Sequence, residues 1–197
     1  MNPLTQCILS QAQSLPEGGL LSPKEFLHLG SRAAIDQTFS RLTRNGKLLR
    51  VGRGAYSPPV LNRFGVRPPT RESILESIEA TSGETIVASG AVEAHRLGLT
   101  TQVPTREIYL TSGVPRKLML GNRVVALKKG NRVQMILGKR AAGKAIRALV
   151  WLGSEHAVVA LKVLRQQLPG HEWDAMRLSC PALPNWLARA IRKVAAD

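Results

Sequence analysis

The sequence predicts an α+β fold in two parts: an N-terminal group of three helices with a β-hairpin, and a mixed α/β C-terminal part that ends in helices. Three observations predict it. Helix-start signals recur through the first 31 residues, a glycine-bounded hairpin pattern follows residue 45, and helical periodicity dominates from residue 141 onward. With 197 residues, 44% of them apolar, the chain can form one large domain or two small ones with buried cores.

The N-terminal helices are predicted from their caps and apolar stripes. An apolar stripe at i, i+4 spacing indicates a first helix over residues 2–16. The Ser-Pro-Lys-Glu sequence at residues 22–25 is a capping box and begins a short second helix, which ends at Gly30. Ser31 caps a third helix that runs through Arg44 and ends at an Asn-Gly pair.

A two-stranded hairpin is predicted directly after these helices. Residues 48–51 and 55–57 have strand character, and the Gly-Arg-Gly sequence between them supplies a tight turn. Three helices with a short second helix, followed at once by a hairpin, are typical of a winged helix-turn-helix. We therefore predict a DNA-binding domain at residues 1–60, a linker at 61–69 within a proline-bounded stretch, and a second domain at 70–197.

The charge of the chain is strongly unbalanced. There are 28 Lys and Arg against 13 Asp and Glu, a net charge of +15, and the isoelectric point is about 11.1. A folded chain with this excess is suited to a polyanion partner, most often a nucleic acid. The alternative is a ribosome-associated or simply basic protein.

The polar face of the third helix and the basic hairpin predict the DNA contacts. One side of the helix is apolar, and the other carries a small residue, an amide, a hydroxyl and arginines, the side chains that read base edges and phosphates in double-stranded DNA. The alternative is an ordinary amphipathic helix with a solvated face, which leaves the basic hairpin unexplained. The predicted DNA-binding residues are Arg32, Ala33, Gln37, Ser40, Arg41, Arg44, Lys47, Arg50 and Arg53.

A second basic region is predicted from an acid-free segment. No acidic residue occurs between Glu107 and Glu155. This segment is expected to present a positive surface either to DNA or to an acidic protein partner, and the sequence does not choose between them. Its basic residues are Arg116, Lys117, Arg123, Lys128, Lys129, Arg132, Lys139, Arg140, Lys144 and Arg147.

The sequence does not predict an enzyme. The four histidines have no metal-site spacing, so we expect no metal and no cofactor. Residues 138–144, GKRAAGK, keep the glycine and lysine spacing of a phosphate loop, but Ala145 stands where a hydroxyl residue should bind magnesium, and we interpret the match as coincidence. The chain lacks a signal-peptide pattern and a membrane-spanning apolar run, so we expect a cytoplasmic protein without membrane contact.

Two passages resemble the AbiEi-type antitoxins of type IV toxin–antitoxin systems. The N-terminal one, SRAAIDQTFSRLTRNGKLLRVGRGAYSPP, is similar to the winged helix of that family, with a Ser-Arg-Leu helix end and an R-G-x-Y wing. The second, ETIVASGAVEAHRLGLTTQVP, is similar to the strand and the small-x-x-x-His-x-x-Gly-Leu passage that follow in the family. The matching residues are Ser40, Arg41, Leu42, Gly46, Arg53, Gly54, Tyr56, Ala91, His95, Gly98 and Leu99.

The resemblance implies a repressor of its own operon that binds an operator with inverted repeats and counteracts a nucleotidyltransferase-like toxin. Two alternatives remain from the residues themselves. One is a winged-helix transcription regulator of a mobile element without a toxin partner, and the other is a nucleic-acid-processing enzyme that uses the basic second domain.

Overall fold

A computed structural model describes residues 2–63, 65–106, 108–121 and 123–196 of the protein, and its fold is mixed α+β as predicted. The chain folds into two compact units. The first unit comprises the residues up to 84 together with residues 117–125, and the second comprises residues 85–116 and those from 126 onward.

The first unit begins with helices and continues with two hairpins and a further helix. Its elements are α1 (Pro3–Ser14), a 3₁₀ helix (Pro23–Leu29), α2 (Arg32–Arg44), β1 (Leu49–Gly52), β2 (Ala55–Ser57), β3 (Val60–Asn62), β4 (Gly65–Arg67) and α3 (Arg71–Ser82).

The predicted starts of the N-terminal helices are confirmed by their capping hydrogen bonds. The Ser22 hydroxyl accepts from the Lys24 amide, while the Glu25 carboxylate accepts from the Ser22 amide at 3.0 Å. The Ser31 hydroxyl accepts from the backbone amide of Ala34, three residues into α2. These bonds satisfy amides that helix formation leaves without a partner, so the local sequence defines where each helix begins.

Aromatic residues from three elements form the centre of the first unit. Phe26 of the 3₁₀ helix packs edge-on against Phe39 of α2, with ring centroids 5.6 Å apart. Tyr56 of β2 lies against the same Phe39 ring at 4.8 Å. Since Ile35 and Leu42 are also buried, the apolar side of α2 faces this core as its periodicity predicts.

The stretch predicted as a linker is a folded hairpin, and the first unit extends beyond residue 60. Strands β3 and β4 pair antiparallel with Leu61 opposite Val66. Arg67, at the end of β4, donates two hydrogen bonds of 2.9 Å to the Glu17 carboxylate, which also accepts from the backbone amide of Thr70 at 2.9 Å. Sequence composition indicated only a proline-rich connection, because the carboxylate that anchors it comes from 50 residues away.

The remaining strands form one four-stranded sheet in the order β5-β6-β8-β7. Strand β5 is antiparallel to β6, and β6 is parallel to β8. The strands are β5 (Ile86–Ala88), β6 (Ile108–Thr111), β7 (Arg116–Leu120) and β8 (Arg123–Lys129). The start of β7 has no clear signal in the sequence, because the Val-Pro-Arg-Lys stretch that leads into it is typical of a turn.

The second unit has the helical end that the sequence predicts. Its core joins α6, α7, α8 and α9 around buried residues such as Ile146, Leu161, Trp173 and Ile191. Within the described ranges, no helix is both long and apolar enough to cross a membrane. The helices are α4 (Gly90–Arg96), α5 (Arg132–Met135), α6 (Ala141–Leu152), α7 (Ser154–Gln167), α8 (Gly170–Leu178) and α9 (Asn185–Ala196), with a 3₁₀ turn at Cys180–Ala182.

Candidate nucleic-acid interface

A basic cleft of about 650 Å³ lies in the first unit where α2, the 3₁₀ helix and the β1–β2 hairpin meet. Four cationic side chains and one carboxylate line it. Three different elements contribute the cations, so the folded chain concentrates charge that is dispersed in the sequence. The lining residues are Pro23, Lys24, Arg32, Asp36, Ser40, Arg50, Arg53, Gly54 and Tyr56.

The hairpin is fixed to the helices by its tyrosine. The Tyr56 ring packs on Phe39, and the Tyr56 backbone exchanges hydrogen bonds of 2.7 and 2.9 Å with Leu21, which lies between α1 and the 3₁₀ helix. Arg50 lies directly across the hairpin from Tyr56. The anchoring of the tyrosine therefore also positions the arginine beside it.

The hairpin turn presents Arg53 to solvent. Gly54 adopts φ +68°, a left-handed conformation that side chains disfavour, so a glycine is suited to this position. Gly52, the other glycine of the turn, is not among the positive-φ glycines of the described residues. Gly52 instead ends β1, and a Cβ built on it would lie 3.8 Å from Leu118 of β7.

The outward side of α2 carries the polar residues that the sequence predicts. Ala33, Gln37, Ser40 and Arg44 are exposed along it. Lys47, which follows the helix, is exposed as well. The small residue allows the helix to approach a base pair closely, and the amide and the hydroxyl on the same exposed face can hydrogen-bond to base edges.

Arg41 is positioned differently from the other arginines of α2. One of its terminal nitrogens, Nη2, donates to the Thr5 hydroxyl of α1 at 2.8 Å. The guanidinium is thereby directed toward α1, and Arg41 is not among the residues that line the cleft, although its side chain is exposed. This contact joins residues 36 positions apart and has no local sequence signal.

Arg147 is not part of a basic surface, and that prediction is wrong. Its side chain is 1% exposed and forms an ion pair with the equally buried Glu93 of α4, at 3.4 Å. It also donates to the backbone carbonyl of Gly138 at 2.8 Å. The helices α4 and α6 approach so closely that a Cβ on Gly90 would overlap the Arg147 carbonyl, so a glycine is required at this contact.

Several other cations of the acid-free segment are bound by the chain itself. Lys129 donates to the carbonyls of Ser112 and Gly113, and Arg116 donates to the carbonyl of Val114 at 2.9 Å. Arg140 pairs with Glu172 at 3.1 Å.

The basic residues of the acid-free segment are divided between the two compact units. Lys117 and Arg123 belong to the first unit, and the others belong to the second. Lys128, Arg132, Lys139 and Lys144 are exposed in the second unit.

The GKRAAGK stretch leads into α6, but a carboxylate occupies the start of that helix. The Ala142 amide donates to Glu172 Oε2 of α8 at 2.9 Å. This hydrogen bond from the Ala142 amide is the main reason that the pKa of Glu172 lies below its usual value, and the ion pair with Arg140 lowers the pKa further. A phosphate bound at this helix start would accept a hydrogen bond from the Ala142 amide, but that amide already donates to the Glu172 carboxylate. Across the described ranges, no group of three or more His, Cys, Asp or Glu residues is arranged to hold a metal ion.

Besides Pro23 and Gly54, three cleft residues with polar side chains are absent from the predicted DNA-binding set: Lys24, Asp36 and Tyr56. Lys24 was recognised only as part of a capping box, and Tyr56 only as part of the wing pattern. Asp36 had a detectable signal, because it stands four residues after Arg32 on the same helix, the spacing at which side chains meet.

The sequence matches a family of unknown function, DUF6088, over residues 7–168, and the chain belongs to that family. No curated protein matches the chain, and no solved structure matches it.

Proposed function

We propose that this member of the DUF6088 family binds double-stranded DNA in a sequence-specific manner through its first unit and represses its own operon. In this proposal the unit is a winged helix-turn-helix, with α2 as the recognition helix and the β1–β2 hairpin as the wing. The observation that carries the proposal is the cleft between helix and hairpin, which four cations line. Such a convergence of exposed positive charge is suited to the phosphate backbone of a nucleic acid.

The arrangement of the elements supports the winged-helix assignment. The 3₁₀ helix and α2 follow one another with only two intervening residues, Gly30 and Ser31, and the hairpin comes directly after α2. Leu21 forms an isolated antiparallel β-bridge with Tyr56 of the hairpin. These contacts hold the hairpin against α2, so that both elements can meet one duplex.

Each element then has a distinct task. Gln37 and Ser40 on α2 are suited to base edges, because amides and hydroxyls can form paired hydrogen bonds there, and Ala33 permits a close approach. Arg50 and Arg53 on the hairpin, with Lys24, are suited to phosphates. Arg41, which Thr5 directs toward α1, is better placed for the backbone than for a base edge.

The antitoxin role is the further part of the proposal and rests on the resemblance to AbiEi-type antitoxins. We propose that the second unit counteracts a nucleotidyltransferase-like toxin and that the protein acts in the cytoplasm, where its operator lies. The role requires an adjacent gene that encodes a nucleotidyltransferase, and co-expression of the full chain with that enzyme tests it. Restored growth is expected, and unrelieved toxicity would reject the antitoxin role without affecting DNA binding.

Selection from random duplexes tests the DNA-binding proposal. The full chain is incubated with a pool of random duplexes, the bound DNA is amplified, and the enriched and scrambled duplexes are titrated at several salt concentrations. We expect an enriched sequence with inverted-repeat character and an affinity that falls steeply as salt rises. Enrichment of no sequence, or an affinity that does not change with salt, would reject the proposal.

A further inference from the structure

A single carboxylate lies among the cations of the cleft, on the proposed recognition helix. Asp36 is the one acidic residue between Glu25 and Glu72. Its Oδ2 accepts a hydrogen bond from Nε of Arg32 at 2.8 Å, and the two side chains are 50% and 53% exposed. Both line the cleft together with the hairpin arginines.

Helix stability does not explain this pair. An exposed ion pair four residues apart contributes little to stability. Arg32 is the first residue of α2, where its charge opposes the positive end of the helix dipole, and the order with the cation first is the less favourable one. In addition, a carboxylate on a surface that meets a polyanion weakens binding through repulsion.

The pair does have the geometry to read a base. Asp36 holds the guanidinium through Nε alone. No residue in the described part of the chain accepts a hydrogen bond from the two terminal nitrogens of Arg32. These nitrogens form a rigid pair of parallel donors, which matches the O6 and N7 acceptors of guanine in the major groove.

We propose that Arg32 and Asp36 form one unit that recognises guanine, in which Arg32 contacts the base and Asp36 is the positioning residue. This inference rests on the proposed DNA binding. The first turn of a recognition helix is the part that contacts base edges in helix-turn-helix proteins, and Arg32 occupies that turn. By fixing the guanidinium before binding, Asp36 reduces the ordering that the contact would otherwise require.

The test compares DNA binding by the full-length variants Asp36→Ala and Arg32→Ala with that of the wild-type protein (the natural chain). Each is titrated at fixed salt with the selected operator, with operators changed at one base pair at a time, and with random duplex. Asp174→Ala is the matched control, because Asp174 forms a similarly exposed pair with Arg177 on α8 and its loss changes the charge equally.

The expected result for Asp36→Ala has two opposite parts. Binding to random duplex strengthens, since a repulsive charge is removed, while the preference for guanine at one operator position falls by about tenfold. Arg32→Ala loses the preference at the same position, and the double variant loses no more than Arg32→Ala. Asp174→Ala keeps every base preference.

Three outcomes overturn the inference. If Asp36→Ala keeps all base preferences, or if the two variants affect different positions, Asp36 does not position a guanine contact although DNA binding stands. If the natural chain selects no sequence, the proposed function fails and this inference fails with it.

Discussion

The cations of the two units have different surroundings, although the sequence marks both as strongly basic. In the first unit, Arg50 and Arg53 project from a hairpin into a shared cleft. In the second unit, Arg147 is buried against Glu93, Arg140 binds Glu172, and Lys129 binds two backbone carbonyls. One group of charges is available to a ligand, whereas much of the other stabilises the fold.

The difference shows that an acid-free segment is not necessarily a free basic surface. Backbone carbonyls accept hydrogen bonds from cations without appearing in any count of acidic residues. Carboxylates can also come from distant positions, as Glu93 does for Arg147 across 54 residues. The exposed fraction and the partners of each cation therefore decide whether it can bind a nucleic acid.

Removal of the buried Arg147 is expected to have the largest effect, and it tests whether cations of the second unit stabilise the fold. Arg147→Ala leaves Glu93 as an uncompensated buried charge, so we expect a loss of about 3–5 kcal/mol in the free energy of unfolding. Urea denaturation followed by circular dichroism measures it. Lys144→Ala, on the exposed side of the same helix, should stay within about 0.5 kcal/mol of the natural chain.

A double variant sharpens the same prediction. Arg147→Met combined with Glu93→Leu leaves no unpaired charge in the interior, so it should be more stable than Arg147→Ala. Equal stability of Arg147→Ala and Lys144→Ala would show that the guanidinium is not buried as described.

A substitution of Gln37 tests whether the first unit contacts the edges of base pairs. Gln37→Ala should cost about 1–3 kcal/mol of binding free energy on the selected operator and little on random duplex, because a base-edge contact is lost. Fluorescence anisotropy with both duplexes measures the difference. Gln166→Ala, which removes an exposed amide from α7 in the second unit, is the control and should change neither affinity. Equal losses on the two duplexes would assign Gln37 to the phosphate backbone.

The smallest predicted effect concerns acid and the start of α6. The pKa of Glu172 is lowered in the folded protein, so its ionised form stabilises the fold at neutral pH, and this contribution disappears as pH falls through the lowered pKa. Glu172→Gln should therefore cost on the order of 1 kcal/mol at neutral pH and nothing at a pH below the lowered pKa of Glu172.

Urea midpoints of the natural chain and Glu172→Gln across this pH range check the prediction. Arg140 lies 3.1 Å and His171 3.7 Å from the same carboxylate, so both contribute to its ionised state. A stability difference that stays constant down to acidic pH would mean that the charge of Glu172 does not matter.

Local sequence patterns predicted much of the fold, whereas most of the features that were not predicted depend on contacts between residues far apart in the sequence. The Ser22 capping box, the Ser31 cap and the apolar stripe of α2 each depend on residues within a few positions, and the predictions from them are confirmed. The β3–β4 hairpin was missed because it is anchored by Glu17, and the burial of Arg147 because it depends on Glu93. In the candidate site, the exposed face of α2 was predictable, but the direction of Arg41 was not, since Thr5 of another helix sets it.

In the proposed function, exposed cations of the first unit contact DNA and those of the second unit do not. The most direct measurement compares two full-length double variants that each remove two positive charges: Arg50→Ala with Arg53→Ala, and Lys128→Ala with Lys144→Ala. The slope of log affinity against log salt should fall by about two for the first variant and stay unchanged for the second. An equal fall for both variants, or a larger fall for the second, would contradict the assignment of the DNA contacts to the first unit.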